Sequence, residues 1–191
     1  MSGVLVTDLK QWAYCQRIVY YRQVMPGIGK PTFKMEEAGR AQELIESLEL
    51  RRTIQKYGLE NARRRFGVWL ADEEVGLSGR VDLLLEGDNE ACVVDFKLTA
   101  GEPGENHRMQ LSGYALLVER ALGLRVRRTF LYRIPDGRVF EVAMEAGWAE
   151  RVKGAVAAIR RACDAQVLPE RTVVGGRCVE CEYQNYCGDV W

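Results

Sequence analysis

The chain has 191 residues, 47% apolar and 28% charged, with 27 basic side chains balanced by 27 acidic ones. That length buries about 70% of the unfolded surface, enough for one packed core, and zero net charge excludes a protein held to nucleic acid by its overall field. No apolar run approaches the roughly eighteen residues of a membrane span. Asp8, Lys10, Arg17 and Arg22 interrupt the stretch where a secretory leader would be apolar. A cytoplasmic protein is therefore expected, whose six cysteines serve as metal ligands or free thiols rather than disulfides.

In chain order, Thr7 reads as the N-cap of a helix over residues 8–22. Leu9, Trp12, Ala13, Gln16 and Tyr20 recur at helical spacing, and Pro26, Gly27 and Gly29 close it. A second helix is expected over 35–57, with Ala38, Ala41, Ile45 and Leu48 on one stripe. From Val68 the period becomes two, giving strands over 68–77, 80–86 and 91–98, with Gly87, Asp88 and Asn89 as a turn. A helix over 105–122 follows, then a hairpin of 127–134 and 138–143 around Pro135, Asp136 and Gly137. The last helix, 148–163, carries Val152, Val156 and Ile159 inward. Interleaved strands and helices without repeats or low-complexity linkers predict one mixed α/β domain over 1–191. Two basic runs stand out: Arg51, Arg52, Lys56, Arg63, Arg64 and Arg65, then Arg125, Arg127 and Arg128. Such runs read as a solvated helix face or as a groove for phosphates.

Two groups of residues carry chemistry. Cys178, Cys181 and Cys187 form a C-x2-C-x5-C run, and Cys15 lies on the first helix. Four thiolates hold a zinc ion or an iron–sulfur cluster, and here they would tie the two ends of the chain together. Cys92 and Cys163 read as buried free thiols. In the middle, Asp82 and Asp95 are equidistant from the Asp88/Asn89 midpoint, so a regular hairpin sets them opposite each other. Like charges so placed call for a cation. Lys97, two residues from Asp95, shares its face, while Val94, Phe96 and Leu98 take the other. Two carboxylates and an amine suit hydrolysis of a phosphodiester with Mg²⁺ or Mn²⁺. Gln110 and Tyr114 share a helix face one element later.

The run Gly79-Arg80-Val81-Asp82, then Asp95-Phe96-Lys97, then Gln110-x3-Tyr114 resembles the RecB-like branch of the PD-(D/E)XK nucleases, written GxxD…(D/E)xK…QxxxY. The flanking cysteines resemble its iron–sulfur subset, with Cys15-Gln16-Arg17 standing where that subset has Cys-Pro-Arg. With no helicase attached, the chain is most similar to the CRISPR-associated Cas-four exonucleases. The resemblance implies a restriction-endonuclease-like core over about 33–145, with a central mixed sheet flanked by helices. It implies an iron–sulfur lobe from about 1–30 and 163–191, its cluster a [4Fe–4S] cubane although four thiolates equally serve [2Fe–2S]. It implies catalytic roles for Asp82, Asp95, Lys97, Gln110 and Tyr114, with the Phe96 backbone carbonyl as a further metal ligand. The family places another ligand, usually His, in a Gly-x3-His pattern; Gly39 leads here to Glu43, although Glu43 falls opposite the apolar stripe of its helix. His107, in a Gly/Pro/Asn-rich loop, reads as a surface residue that approaches a DNA phosphate at most.

The implied activity is metal-dependent trimming of single-stranded DNA or overhangs in a prokaryotic cytoplasm, on fragments destined for CRISPR arrays and in partnership with the CRISPR integrase. The rival readings are a repair or recombination nuclease outside CRISPR, a zinc-binding nucleic-acid module without catalysis, and an iron–sulfur redox or sensory protein. Trp12, Tyr14, Tyr183 and Tyr186 are placed to stack on unpaired bases or, as the preferred reading, to pack around the cluster.

Overall fold

The computed structural model describes residues 3–29, 54–59, 61–98, 101–179 and 181–188. A two-residue strand β1 (Val4–Leu5) leads into α1 (Val6–Tyr14) and α2 (Gln16–Val24). After a 3-10 turn at Gln55–Tyr57 come β2 (Arg63–Asp72), β3 (Leu77–Glu86) and β4 (Glu90–Lys97). Helix α3 (Glu105–Leu122) is followed by β5 (Arg125–Arg133), β6 (Arg138–Val142) and α4 (Trp148–Asp164). A 3-10 turn at Gly175–Arg177 and the short α5 (Gln184–Cys187) complete the tail. No helix among the described residues is long and apolar enough to cross a membrane.

The six strands form one mixed sheet in which β3 is central. Strand β2 pairs antiparallel along one whole edge of β3. The other edge is shared: β1 runs parallel to Leu77 and Ser78, and β4 runs antiparallel from Leu83 to Glu86. Between them, Gly79 to Asp82 present an edge to which no described strand pairs. Strands β4 and β5 are parallel, so α3 supplies the long crossover that such a pair needs.

Side chains alternate between two packed layers. Leu84, Val93 and Leu131 meet α1, α3 and α4, joined by Leu9, Leu117, Val156 and Ile159. Leu83, Leu85, Val94, Phe96 and Phe130 face the other way, against Ile54 and Tyr57. Each such side chain contributes about 1.5–3 kcal/mol when fully buried. The alternation slips beside the site, as well as at the β4/β5 bulge by Ala91. Phe66 and Leu83 belong to the second layer, yet Val68 and Val81, two positions along each strand, belong to the first. The slip falls at Gly67, whose φ of +59° suits glycine, and at Asp82 opposite it.

Three expectations need correction. The helix expected over 8–22 begins at Val6 without a Thr7 cap and breaks at Cys15, which is extended (φ −160°, ψ 118°). The break splits one helix into two and lets Cys15 leave the helical path towards the tail. Asp8 holds the pieces together: it accepts the Leu5 N–H at 2.9 Å and the Gln23 amide at 3.1 Å, and pairs with Arg22. The strand expected over 68–77 is instead two strands. Asp72 accepts the Val75 N–H at 2.7 Å through its side chain and the Gly76 N–H at 2.8 Å through its carbonyl. These bonds close a turn that apolar alternation alone does not reveal. Strand β2 also starts five residues early, so Arg63, Arg64 and Arg65 lie on a strand rather than on a helix face. The helix expected over 35–57 lies almost wholly outside the described residues; its last three residues form the 3-10 turn.

Candidate active site

The hairpin register sets Leu83 against Val94, so the next pair along is Asp82 and Asp95. There the ladder opens: Asp82 Oδ2 accepts the Phe96 N–H at 2.9 Å. A side chain thus takes a donor that would otherwise be left bare at the parting of the strands. Asp95 is 1% exposed and Asp82 8%. Lys97 Nζ stands 2.7 Å from Asp95 Oδ2, while the buried Asp95 Oδ1 has no hydrogen-bond donor among the described residues. Burial works against a charged Lys97, but Asp95 and then Asp82 outweigh it and hold the ammonium above its ordinary pKa. Lys97 is therefore a fixed cation.

Helix α3 closes the site from above. Gln110 donates from Nε2 to the Tyr114 hydroxyl at 3.3 Å, both residues being buried. Burial first, then Asp95 and Asp82, push the Tyr114 phenol far up, so it stays a proton donor. Gly79 permits this closeness. A Cβ there would stand 2.8 Å from Val6 Cγ2 and 3.0 Å from Tyr114 Cε1. The glycine of the Gly-x-x-Asp run is thus a contact point of β3 with both α1 and α3.

One group enters that sequence reasoning missed, and another changes its surroundings. Lys10 on α1 faces Lys97, Asp95 and Asp82; burial, then the Lys97 charge, lowers its ammonium to about 8. No local pattern marks Lys10, because its place depends on α1 docking on α3, where Leu9 and Val6 lie against Gly113. His107 is the correction: it is half-buried in the first turn of α3, not a surface loop residue. Its Nδ1 accepts the Gly104 N–H at 3.2 Å. Burial, then Lys10 and Lys97, pull its pKa down to about 4, so the ring is neutral at pH 7. Glu43 lies outside the described residues.

A buried carboxylate oxygen without a donor, beside a second carboxylate, fits a hard divalent cation. Among the described residues no three His, Cys, Asp or Glu side chains gather closely enough for a single ion. Asp82 and Asp95 are the carboxylates on hand.

The four cysteines of the motif line a separate cavity with Ile18, Tyr21 and Tyr183. All are free. Burial raises the Cys181 thiol, and the charges of Cys15, Cys178 and Cys187 raise it further. Arg17 bridges the two ends of the chain: it donates to the Pro169 carbonyl at 2.8 Å, the Cys187 carbonyl at 3.2 Å and Cys187 Sγ at 3.3 Å. Four thiols around one cavity, with a guanidinium on one sulfur, fit a thiolate-held group. Of the aromatics, Tyr183 is buried and stacks on Tyr21 at 5.4 Å. Arg177 covers Tyr14 at 4.6 Å, Trp12 packs on the main core, and Tyr186 is exposed. Cys92 is buried and its thiol pushed up to about 11, chiefly by that burial; Cys163 is partly buried against the main core.

The family model of the PD-(D/E)XK nuclease superfamily matches residues 11–188. A CRISPR-associated exonuclease Cas4 from Francisella tularensis subsp. novicida is 29% identical over 187 residues, covering 98% of this chain and 94% of the relative. One from Aeropyrum pernix is 25% identical, covering 95% and 93%. Among solved structures, SSO0001 superposes with a TM-score of 0.57 at 19% identity, covering 100% of this chain and 87% of that one. An alkaline exonuclease from Laribacter hongkongensis superposes at 0.54 with 12% identity, covering 86% and 89%. That family match spans nearly the whole chain, and the chain belongs to the PD-(D/E)XK nuclease superfamily.

Proposed function

We propose that this chain is a metal-dependent DNA exonuclease that trims single-stranded ends or overhangs. The observation that carries the reading is the Asp82–Asp95–Lys97 constellation at the open end of the β3/β4 ladder. Asp82, Asp95 and the Phe96 carbonyl would hold Mg²⁺ or Mn²⁺, with Glu43 as a further ligand; the ion supplies Lewis acidity and a bound water of lowered pKa. Lys97, permanently charged, offsets negative charge that grows on the phosphoryl oxygens. Tyr114, held by Gln110 and locked in its protonated form, donates a hydrogen bond to a phosphate oxygen. Neutral His107 and half-buried Lys10 border the same space. Water oxygen bonds to phosphorus, the bond to the leaving sugar oxygen breaks, and protons exchange with solvent.

Cys15, Cys178, Cys181 and Cys187 would hold an iron–sulfur cluster, which supplies a cross-link between the chain ends. Four thiols lining one cavity support a thiolate-held group there. Likeness to exonucleases named as CRISPR-associated supports processing of DNA fragments for CRISPR arrays beside an integrase, in a prokaryotic cytoplasm.

The test is labelled single-stranded DNA with Mg²⁺ or Mn²⁺, comparing wild type with Asp95→Ala and Lys97→Ala. Cleavage should fall by more than about a hundredfold in each variant. Equal degradation by all three preparations would assign the activity to a contaminant. Colour is the companion measurement: broad absorbance near about 400 nm supports iron–sulfur, and a colourless protein holding zinc opposes it.

A further inference from the structure

Helices α1 and α3 converge on Gly79, where Val6 and Tyr114 are the side chains that a Cβ would meet. Lys10 stands one turn beyond Val6 on the same face of α1, and His107 stands two turns before Tyr114 on the same face of α3. Both are half-buried, so solvent reaches them. Each faces Lys97 and Asp95, and His107 faces Lys10 as well. The site's carboxylates have other partners: Lys97 stands on Asp95 Oδ2 at 2.7 Å, and the Phe96 N–H donates to Asp82 Oδ2. Lys10 is left without a hydrogen bond or ion pair among the described residues. His107 Nδ1 accepts the Gly104 N–H, so the ring proton sits on Nε2, and no described residue accepts it. A half-buried ammonium without a counter-charge is costly, and here it lies beside the like charge of Lys97. An anion between the two helices relieves both costs.

We propose that Lys10 and His107 form a second phosphate subsite, which holds the linkage next in line behind the one being cut. This rests on the nuclease reading above. The Lys10 ammonium and the His107 Nε2–H donate to its non-bridging oxygens, while Lys97 and Tyr114 serve the scissile phosphate. Seven residues separate His107 from Tyr114, about 10.5 Å of helix, which suits donors to successive phosphates better than donors to one. An exonuclease has only the departing nucleotide on one side of the cut. The neighbouring phosphate present at every step is therefore on the strand that remains. Holding it sets the next linkage in register with the acids.

The experiment digests labelled single strands that carry one methylphosphonate linkage, which has no charge, in Mn²⁺. Wild type should halt one linkage before the neutral one, because the subsite then holds no anion. Lys10→Gln, slower throughout, should run on to the neutral linkage itself, and Lys10→Arg should halt where wild type does. Anisotropy of the unmodified strand in EDTA, across a salt series, gives a readout apart from cleavage. Lys10→Gln should flatten the salt slope by about 0.7, one phosphate contact. His107→Asn keeps an acceptor for the Gly104 N–H and loses the Nε2 donor; it should keep the slope and weaken binding about fivefold. Metal-free Lys10→Gln should melt no lower than wild type, since it removes a half-buried cation beside another. Wild type that cuts, beside Lys10→Gln that binds with the wild-type slope or halts where wild type halts, would overturn this subsite alone. Wild type that neither binds nor cuts would overturn the nuclease reading, and this subsite with it.

Discussion

Asp82 and Phe96 are joined across the open end of the β3/β4 ladder by a 2.9 Å hydrogen bond from backbone N–H to carboxylate. One carboxylate therefore does two jobs, closing a backbone donor and facing the cation space. The two are separable. Asp82→Asn keeps an acceptor for Phe96, so urea unfolding of the metal-free protein should shift little while cleavage is lost. Asp82→Ala leaves a buried donor bare and should cost about 1–3 kcal/mol in the same titration. Equal unfolding midpoints for the two variants would contradict this division.

Gly79 is the tightest point between β3 and the helices. Gly79→Ala forces a methyl against the stiff Val6 side chain and the Tyr114 ring. Overpacking of that kind costs about 1–3 kcal/mol, and because Tyr114 is one of the two neighbours, cleavage should fall with stability. A variant as active and stable as wild type would mean that α1 yields freely.

His107 makes stability depend on acidity. Its folded pKa is about 4 and its ordinary value 6.5. Between those values the unfolded chain binds more protons, so stability falls as pH drops through that window. The imidazole faces Lys10 and Lys97, which oppose its protonation, and Asp95, which favours it. Urea midpoints of metal-free protein at pH 7, 5.5 and 4.5 should decline, and His107→Asn should flatten the decline between pH 6.5 and 4. A slope that the substitution leaves untouched would point to other groups.

Arg17 links Pro169 and Cys187 to α2, and its guanidinium rests on Cys187 Sγ, a ligand under the iron–sulfur proposal. Arg17→Gln should hasten bleaching of the 400 nm absorbance in air and lower the melting temperature. Cys15→Ser should prevent full loading altogether. Bleaching at the wild-type rate in Arg17→Gln would reduce that contact to packing.

Much of this arrangement was legible in the chain, because register follows from simple counting. The Asp88/Asn89 midpoint puts Asp82 opposite Asp95, and the expected helix 105–122 coincides with the observed one, which Gly104 and Gly123 bracket. The failures share a cause. Strand alternation from Val68 ran on through a turn made by the Asp72 side chain, and helical spacing ran on through Cys15, whose extended backbone answers to a distant tail. Lys10 and His107 came to the site through helix docking, which local patterns do not encode.

Helix α1 carries Lys10 into the site and ends next to Cys15, five residues and about 7.5 Å further along its axis. One rigid rod thus spans two neighbourhoods that are otherwise far apart in chemistry. The position of that amine is therefore tied, through little more than one helical turn, to the packing of Cys15 beside the tail.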